Sequence, residues 1–352
     1  DIIDLSIGDP DLSPPDSLLE HLGEALSNPE HHRYPPQRGT SRLKDSVRRY
    51  LSRRCGIEPG DDEILILVGS KEGLAHLPWA VCNPGDTVLL PDPGYPVYHS
   101  SAVFAGCETA TLQLDPDSGF KPDFDSVSDV KARLCILNYP NNPTSATVEA
   151  GVFENALVLS ESGETIVAND AAYADVYFDG VVPPLLCGID GALERPIVEM
   201  FSFSKTYCIT GWRVGFAVGN SKVIDALAHM KANIDSGVFG AIQDAVAATL
   251  DGDGDAYAES MRSEFQARRD AVVSALDRLG FQCFPTCATF YVWVRVPSPW
   301  NSMDYALDLL EKANVLVTPG VGFGNGGEGY FRISLTRPVD VLAGALDRIA
   351  RI

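Results

Sequence analysis

Short apolar runs alternate with amphipathic segments from residue 63 to residue 219. The run "EILILVGS" (63–70) predicts a buried strand, and "KEGLAHLPWAVC" (71–82) predicts the helix that follows it. The alternation continues through further predicted strands ("DTVLLPDP", "ETATLQL", "RLCILNYP", "TIVANDAAYA", "PIVEMFSFS", "WRVGFAVG") and further predicted helices ("YPVYHSSAVFAG", "EAGVFENALVLSESG"). Apolar strands separated by helices indicate a doubly wound α/β fold with a mostly parallel sheet.

The pattern changes after about residue 220. Three helical segments come first ("SKVIDALAHMKANI", "FGAIQDAVAATL", "AYAESMRSEFQARRDAVVSALDRLG"), and the last is long enough to bridge two lobes. Strands and helices then alternate again from "TFYVWVRV" to "PVDVLAGALDRIAR", which predicts a smaller α+β lobe. Because 352 residues exceed the usual size of one domain, we predict a large domain of residues 36–245 and a small domain of residues 1–35 and 246–352.

Polar loops follow four of the predicted strands. They are "GSKEG", "NYPNNPT", "NDAAY" and "SFSK". Ligands of open α/β sheets bind at the carboxyl ends of the strands, so we expect these loops to share one rim and to form one site.

Charge and cysteine usage narrow the function classes. The formal net charge is −21, which argues against a nucleic-acid partner, because such partners require clustered Lys and Arg. We expect no membrane span and no signal peptide, since the chain has neither a long uncharged apolar stretch nor a basic-then-apolar leader. The eight cysteines are dispersed without a CxxC pair, so we expect reduced thiols, a cytoplasmic location and no metal site.

Two apparent phosphate motifs lack their structural context. The "SKT" at 204–206 has no upstream glycines to wrap a phosphate, which excludes a P-loop. The "GFGNGG" segment carries Gly322, Gly324 and Gly327 in a GxGxxG pattern, but a strand follows it where a dinucleotide site needs a helix. We interpret it as a flexible turn.

Lys205 lies among hydroxyl groups directly after a predicted buried strand. Lysine is rarely buried without a reason, and a partly desolvated lysine amine can form a Schiff base with pyridoxal phosphate. Ser202, Ser204 and Arg213 supply donors suited to its phosphate, and Ser70 with Lys71 opens a helix whose first N–H groups suit the same anion.

Four further residues suit the ring of that cofactor. Asp170 can pair with the pyridine nitrogen, Asn142 and Tyr173 can donate to the phenolic oxygen, and Tyr95 can stack on the ring face. Taken singly, each has an ordinary structural explanation: a helix cap for Asp170, core packing for Tyr95. In the same way, Ser202 and Ser204 can face a polar surface, and Arg213 and Arg332 can form ion pairs.

The segment "SFSKTYCITGWRVGF" (202–216) resembles the cofactor-lysine signature of the fold-type-I, class I/II aminotransferases. The resemblance extends over nearly the whole chain, through "IGDPD", "YPPQRGT", "GSKEG", "PDPGYPVY", "NYPNNPT", "NDAAY", the lysine segment and "YFRISL", in the order of the family. It implies the PLP-dependent transferase fold type I, with a mostly parallel sheet of about seven strands between helices and a smaller α+β domain.

The resemblance also implies a role for each candidate residue. Lys205 would hold pyridoxal phosphate as a Schiff base and act as the base, Asp170 would meet the pyridine nitrogen, and Tyr95 would stack. The phenolic oxygen would be met by Asn142 and Tyr173. The phosphate would be held by Ser70, Lys71, Ser202, Ser204 and Arg213, and by Tyr34 from the second subunit of a homodimer with shared active sites. The substrate α-carboxylate would be bound by Arg332, Asn142 and the backbone of Gly8.

One position departs from the family pattern. Aminotransferases of this class commonly continue "NNPTG", whereas this chain reads "NNPTSA", with Ser145 in place of the glycine. A glycine there suggests a tight turn, so the geometry of this loop is open.

The resemblance implies a ping-pong transamination between an amino acid and a 2-oxo acid. "GSKEGLAHLP", "NPGD", "PDPGYPVY" and "ANIDSGVFGAIQDA" look most similar to the LL-diaminopimelate aminotransferases, with 2-oxoglutarate as acceptor. The alternatives are an alanine, aspartate or aromatic aminotransferase, a PLP-dependent lyase or cyclase of amino-acid or natural-product metabolism, and a cofactor-binding regulatory module. The last would need a DNA-binding segment, and the sequence shows none.

Overall fold

The computed structural model describes residues 1–161 and 163–352. Its strands, in chain order, are β1 Ile3–Asp4, β2 Ile64–Leu67, β3 Thr87–Asp92, β4 Glu108–Asp115, β5 Lys121–Pro122, β6 Ala132–Leu137, β7 Ile166–Asp170, β8 Ile197–Ser202, β9 Gly215–Gly219, β10 Tyr291–Arg295, β11 Val315–Leu316, β12 Thr318–Pro319 and β13 Tyr330–Ser334.

Helices separate most of these strands. They are α1 Asp16–Ala25, α2 Ser41–Cys55, α3 Ser70–Val81, α4 Val97–Phe104, α5 Ala150–Leu159, α6 Phe203–Thr206, α7 Ser221–Ala232, α8 Gly240–Asp251, α9 Gly254–Arg278, α10 Ser302–Asp308 and α11 Val339–Ile349. A π-helical turn, Leu309–Ala313, continues α10. The helix predicted over 149–163 is observed as α5, and Ser162, near its predicted end, lies outside the described residues.

The large sheet has the strand order β2-β9-β8-β7-β6-β3-β4-β5. Strands β8, β7, β6, β3 and β4 are parallel, whereas β9 is antiparallel to both of its neighbours. The predicted α/β fold with a mostly parallel sheet is therefore confirmed. The eighth strand, β5, is a two-residue addition antiparallel to β4, too short to give a sequence pattern.

Both faces of this sheet are covered because its strands alternate between two apolar cores. In β2, Ile64 and Ile66 belong to the core that includes residues of α2, α5 and α8. Leu65 and Leu67 point to the opposite core, which includes residues of α3, α4 and α7. The continuous apolar run in the sequence thus reflects burial on both faces.

The second part of the chain has its own core and sheets. Strands β10, β13 and β12 form an antiparallel sheet, and β1 pairs in parallel with β11. A third apolar cluster joins residues of α9, α11 and these strands. The N-terminal residues contact both parts, since β1 pairs with β11 while α1 packs against α8. The domain boundaries at residues 35 and 245 stay a prediction.

Strand direction explains why one edge of the large sheet carries the polar loops. The carboxyl ends of β6, β7 and β8 lie together because these strands are parallel. The carboxyl end of β2 joins them because β2 and β8 both pair in antiparallel fashion with β9. The glycine-rich 320–327 segment forms two 3₁₀ turns, in agreement with the predicted turn. No helix of the described residues is long and apolar enough to cross a membrane.

Glu199 allows the stabilising effect of buried hydrogen bonds in the large sheet to be measured. It is fully buried in β8, and burial raises the pKa of its carboxyl. Oε1 accepts hydrogen bonds from Asn169 Nδ2 (2.7 Å) and Leu186 N (3.1 Å), and Oε2 accepts one from Cys187 N (2.9 Å). We expect Glu199→Ala to lower the free energy of unfolding by roughly 3 kcal/mol or more, because three buried donors lose their acceptor.

The matched control is Glu199→Gln, which keeps one acceptor oxygen. It should lower the free energy of unfolding by about half as much as Glu199→Ala. Urea unfolding followed by circular dichroism measures both variants. A loss below about 1 kcal/mol for the alanine variant would contradict this account.

Candidate active site

Lys205 lies in the short helix α6, directly after β8, at the shared strand edge. The side chain is half-buried, and its Nζ donates a hydrogen bond to the carbonyl oxygen of Gly8 at 3.0 Å. The same nitrogen lies 5.6 Å from the centre of the Phe290 ring. The amine therefore lies where the N-terminal segment and the segment before β10 meet the large sheet.

Burial lowers the pKa of Lys205 to about 8, because removal from water disfavours the ammonium form. The positive charges of Arg213 and Arg332 lower the pKa further, while the carboxylate of Asp9 raises it. An ordinary lysine titrates near 10.4, so a much larger fraction of Lys205 is the neutral nucleophile near neutral pH.

Asp170 ends β7 and is buried. Its Oδ2 accepts a hydrogen bond from the Tyr98 hydroxyl (2.8 Å), and its Oδ1 accepts one from Ala172 N (3.3 Å). Burial raises the pKa of this carboxyl to about 6, and the two hydrogen bonds and the nearby charge of Lys205 counteract that rise. The carboxylate is therefore ionised at neutral pH and available to pair with a cationic group.

Asn142 and Arg332 meet although 190 residues separate them in the chain. Arg332 Nη1 donates to Asn142 Oδ1 at 2.6 Å, and Nη2 donates to the carbonyl oxygen of Ser6 at 2.6 Å. The guanidinium carbon lies 4.0 Å from the centre of the Tyr291 ring. Its Nε is buried and has no hydrogen-bond partner among the described residues. This arrangement suits a carboxylate ligand.

Tyr173 is linked to a residue that sequence reasoning did not identify. Its hydroxyl shares a hydrogen bond with the hydroxyl of Tyr291 at 2.9 Å, and both side chains are buried. A Cβ at position 8 would overlap the Tyr291 hydroxyl, so only glycine fits at Gly8. Tyr291 thus contacts the Arg332 guanidinium, Tyr173 and the Gly8 backbone together.

The candidate phosphate ligands surround the start of β9. Gly215 pairs with Ser202 of β8, and a Cβ there would lie close to the Ser70 amide. The Arg213 guanidinium packs against Gly69, directly before α3, and donates to the Thr210 carbonyl oxygen at 2.9 Å. Ser202, Ser70 and Arg213 are therefore neighbours.

Ser204 is linked to this group, because its backbone N–H donates to Ser202 Oγ at 3.3 Å. Its Oγ is buried and has no hydrogen-bond partner in the part of the chain that the structure describes. A buried hydroxyl in that state is unfavourable unless a ligand or a water molecule satisfies it. The hydroxyl, the α3 N-terminus and the Arg213 guanidinium together match the donor set that a phosphate requires.

Tyr95 and Lys71 lie beside each other, and Tyr34 lies apart. The half-buried Tyr95 ring packs edge-on against Tyr98 with 5.8 Å between centres, and Lys71 Nζ lies 5.6 Å from the centre of the Tyr95 ring. The side chain of Tyr34 is 89% exposed, so it is not packed into the site of its own chain. The roles of these three residues stay predictions.

Asn138 and Tyr98 were also missed by the sequence reasoning. Asn138 Nδ2 donates to the Asp170 carbonyl oxygen (2.7 Å), and its Oδ1 accepts from Asn142 N (2.9 Å). It therefore holds the loops after β6 and β7 together. The only available signals were the position of Asn138 at a strand end and the spacing of Tyr98 three residues after Tyr95.

Glu72, His76 and Asp235 form the one group of potential metal ligands in the described residues. The ammonium of the buried Lys231 contacts two of them, at 3.2 Å from Glu72 Oε2 and 2.6 Å from Asp235 Oδ1. The lysine already supplies the positive charge that a metal would bring, so this cluster is a partly buried ion-pair network around Lys231.

Three comparisons relate the chain to known proteins. The family model described as "Aminotransferase class I and II" matches residues 1–349. The LL-diaminopimelate aminotransferase of Nitratidesulfovibrio vulgaris (strain DP4) is 43% identical, and the match covers 100% of this chain and 92% of that protein.

Two solved structures also superpose over nearly the whole chain. The substrate-bound BacF structure from Bacillus subtilis has a TM-score of 0.95 at 35% identity and covers 100% of this chain and 90% of its own. The probable N-succinyldiaminopimelate aminotransferase from Thermus thermophilus has a TM-score of 0.92 at 34% identity, covering 99% and 94%.

The pKa of Lys205 can be measured directly. In protein freed of bound small molecules, brief acetylation over a pH series, followed by mass spectrometry of the Lys205 peptide, should give a midpoint near pH 8. Asp9→Asn should move that midpoint to lower pH, because it removes a negative charge that favours the ammonium form. A midpoint near 10 in the unmodified chain, as for an ordinary lysine, would contradict the buried geometry.

Proposed function

The chain belongs to the class I and II aminotransferases, and from that premise we propose that it transfers the amino group of LL-2,6-diaminopimelate to 2-oxoglutarate with pyridoxal phosphate as carrier. The main observation that supports assigning this reaction to these residues is the half-buried Lys205 amine. Its pKa is lowered to about 8, and it lies near the buried carboxylate of Asp170.

Proteins of this family and fold use pyridoxal phosphate, and the residues present here fit it. Ser70, Ser202, Ser204, Arg213 and the first N–H groups of α3 would hold its phosphate, with the unpartnered Ser204 hydroxyl as the strongest support. Lys71, which follows Ser70 in α3, would also reach this phosphate; its Nζ lies 5.6 Å from the centre of the Tyr95 ring. When bound, the cofactor supplies an electron sink for the pair released at the substrate Cα.

Lys205 is the proposed proton carrier. Its neutral amine would take the proton from the substrate Cα and deliver it to the carbon bonded to the other side of the substrate nitrogen, which requires a pKa near the working pH. The Gly8 carbonyl oxygen orients the amine. Asp170 would pair with the ring nitrogen, while Asn142 and Tyr173 would donate to the phenolic oxygen and Tyr95 would cover the ring face.

Arg332 and Asn142 would bind the α-carboxylate of both substrates. A guanidinium binds a carboxylate through two parallel hydrogen bonds, and Arg332 presents Nη1 and Nη2 held by Asn142 and Ser6. Amino acid and 2-oxo acid share this carboxylate, so one clamp serves both half-reactions. That sharing supports a ping-pong sequence in which the first product leaves before the second substrate binds.

The substrate is proposed from the names of relatives. The N. vulgaris protein is named for LL-diaminopimelate, and the T. thermophilus protein is named for an N-succinyl derivative of the same skeleton. The BacF structure, at comparable likeness, carries no such name, so the donor is the finer part of this proposal.

We further propose a cytoplasmic homodimer in which Tyr34 completes the partner's phosphate site. Support comes from the exposure of this tyrosine, 89% in the single chain, which leaves an aromatic hydroxyl available to a second copy. The eight free cysteines are compatible with a reducing compartment.

The reaction and the substrate are tested together. Single amino acids are mixed with the cofactor-loaded protein, and the visible absorbance of the bound cofactor is followed. We expect LL-2,6-diaminopimelate to remove the band, 2-oxoglutarate to restore it, and Lys205→Ala to abolish both changes.

Three other outcomes change the proposal. Loss of the band with another amino acid, but not with diaminopimelate, would replace the donor and keep the reaction. Sustained turnover without any 2-oxo acid would indicate the lyase alternative. Full activity of Lys205→Ala would overturn the assignment of the base.

The acid side of the pH profile tests Asp170. Tyr98→Phe removes a hydrogen bond that stabilises the carboxylate, so the pKa of Asp170 should rise above about 6. As the pH is lowered, activity that needs the ionised carboxylate should therefore disappear at a higher pH than in the unmodified chain. We expect the acid limb of kcat/KM to shift upward by about one pH unit. Tyr139→Phe is the control, since that buried hydroxyl donates to Phe120 O at 2.6 Å instead. An unshifted limb in Tyr98→Phe would contradict the role.

A further inference from the structure

Ser145 and Thr289 face each other in a backbone conformation that both residue types disfavour. Their φ angles are +63° and +61°, in the left-handed region, where glycine is the usual residue and a β-branched threonine is an outlier. Both side chains are fully buried. Such strain persists only where surrounding interactions hold it in place.

Three hydrogen bonds close a ring around these two residues. Ser145 Oγ donates to the carbonyl oxygen of Tyr291 at 2.7 Å. Because its only proton is used there, the 2.8 Å contact with Thr289 Oγ1 must be donated by the threonine. Thr289 Oγ1 in turn accepts from Tyr291 N at 3.2 Å. Each hydroxyl therefore donates one hydrogen bond and accepts another, and both polar groups of the Tyr291 backbone are engaged.

Ser145, on one side of this ring, lies in the turn that carries Asn142. Ser145 N donates to the carbonyl oxygen of Asn141 at 2.9 Å, and Asn141 N donates to that of Ala146 at 2.9 Å. The Asn141 side chain also accepts from the backbone and the hydroxyl of Thr144. The turn from 141 to 146 is therefore held by its own hydrogen bonds, and a displacement of Ser145 displaces Asn142 with it.

Tyr291, on the other side of the ring, begins β10 and lies next to Arg332, which with Asn142 forms the proposed carboxylate clamp. The Tyr291 ring lies 4.0 Å from the Arg332 guanidinium carbon, and its hydroxyl contacts Tyr173. The Asn142–Arg332 hydrogen bond crosses between the same two parts of the chain as the Ser145–Tyr291 hydrogen bond.

We propose that Ser145 is a positioning residue, whose hydroxyl holds Asn142 and Arg332 at the distance needed to bind the substrate α-carboxylate. By tying the Asn142 turn to the Tyr291 backbone, it sets the separation between Asn142 and Arg332 before substrate arrives. The inference rests on the proposed function, because it assumes that these two residues bind the carboxylate. It gives Ser145 a role in substrate affinity that glycine, which supplies only the turn, does not have.

Two substitutions separate this role from backbone strain. Ser145→Gly removes the hydroxyl and also relieves the left-handed strain, whereas Ser145→Ala removes the hydroxyl and keeps the strain. We expect both to raise KM for amino acid and 2-oxo acid by about three- to tenfold, the effect of losing one positioning hydrogen bond, with kcat changed less than twofold. Only Ser145→Ala should clearly lower the unfolding temperature.

Ser160→Ala is the matched control. This buried serine also donates to a main-chain carbonyl oxygen at 2.7 Å, that of Leu157, but at the end of α5, away from the clamp. It should lower the unfolding temperature and leave KM within twofold of the unmodified chain.

A second readout needs no activity. In hydrogen exchange of the unmodified protein and the variants without substrate, peptides covering 138–146 and 289–294 should exchange faster in Ser145→Gly, and not in Ser160→Ala.

Thr289→Val should raise KM as Ser145→Gly does. The variant that carries both substitutions should show no further increase in KM, because each substitution alone already breaks the same ring of hydrogen bonds.

Several results would overturn the inference. They are an unchanged KM in Ser145→Gly, KM changes that follow the unfolding temperature across the variants, or unchanged exchange in both peptides. The measurement uses whichever amino acid the protein accepts, so a wrong donor assignment leaves the test intact. Failure of the unmodified chain to turn over any amino acid would instead overturn the proposed function and this inference with it.

Discussion

The partial removal of one lysine amine from water is the constraint on which the arrangement of this site depends. Burial favours the neutral form of Lys205, and the positive charges of Arg213 and Arg332 act in the same direction. Those guanidinium groups are also the groups suited to a phosphate and a carboxylate. The Lys205 amine is therefore coupled electrostatically to the candidate anion-binding residues, since bound anions would screen the charges that lower the lysine pKa.

Strand direction brings these groups together. Residues at the carboxyl ends of β2, β6, β7 and β8 share an edge although they are far apart in the chain, and the reversed strand β9 places Arg213 at the same edge. The second part of the chain contributes β10 and β13, whose pairing sets Tyr291 and Arg332 near the Asn142 turn. Each part supplies groups that the other lacks, so the candidate site exists only at their junction.

Much of this was accessible from the residues. The apolar runs predicted the α/β sheet because both of its faces are covered, and motif order predicted the family. Asp170 and Asn142 were proposed as site residues because they lie at the ends of predicted strands. Tyr98 and Tyr291 were missed because their roles depend on which face of an element points to the site, and tyrosine in an apolar run is indistinguishable from core. Ser145 stands where the family has a glycine, which already indicated a tight turn, but its pairing with Thr289 could not be predicted, because hydrogen bonds between distant segments leave no local pattern.

The pairing of β1 with β11 has a consequence for synthesis of the chain. Ser6 and Gly8, which contact Arg332 and Lys205, follow a strand whose only partner in the described sheets begins at Val315. On a ribosome residues 3–8 emerge long before Val315 is synthesised. The lysine segment and its sheet can thus be made and folded while the amine still lacks its carbonyl acceptor. The candidate site in the nascent protein therefore stays incomplete until residues 315–332 have been synthesised, so the contact between Lys205 and Gly8 forms only when Arg332 is also present.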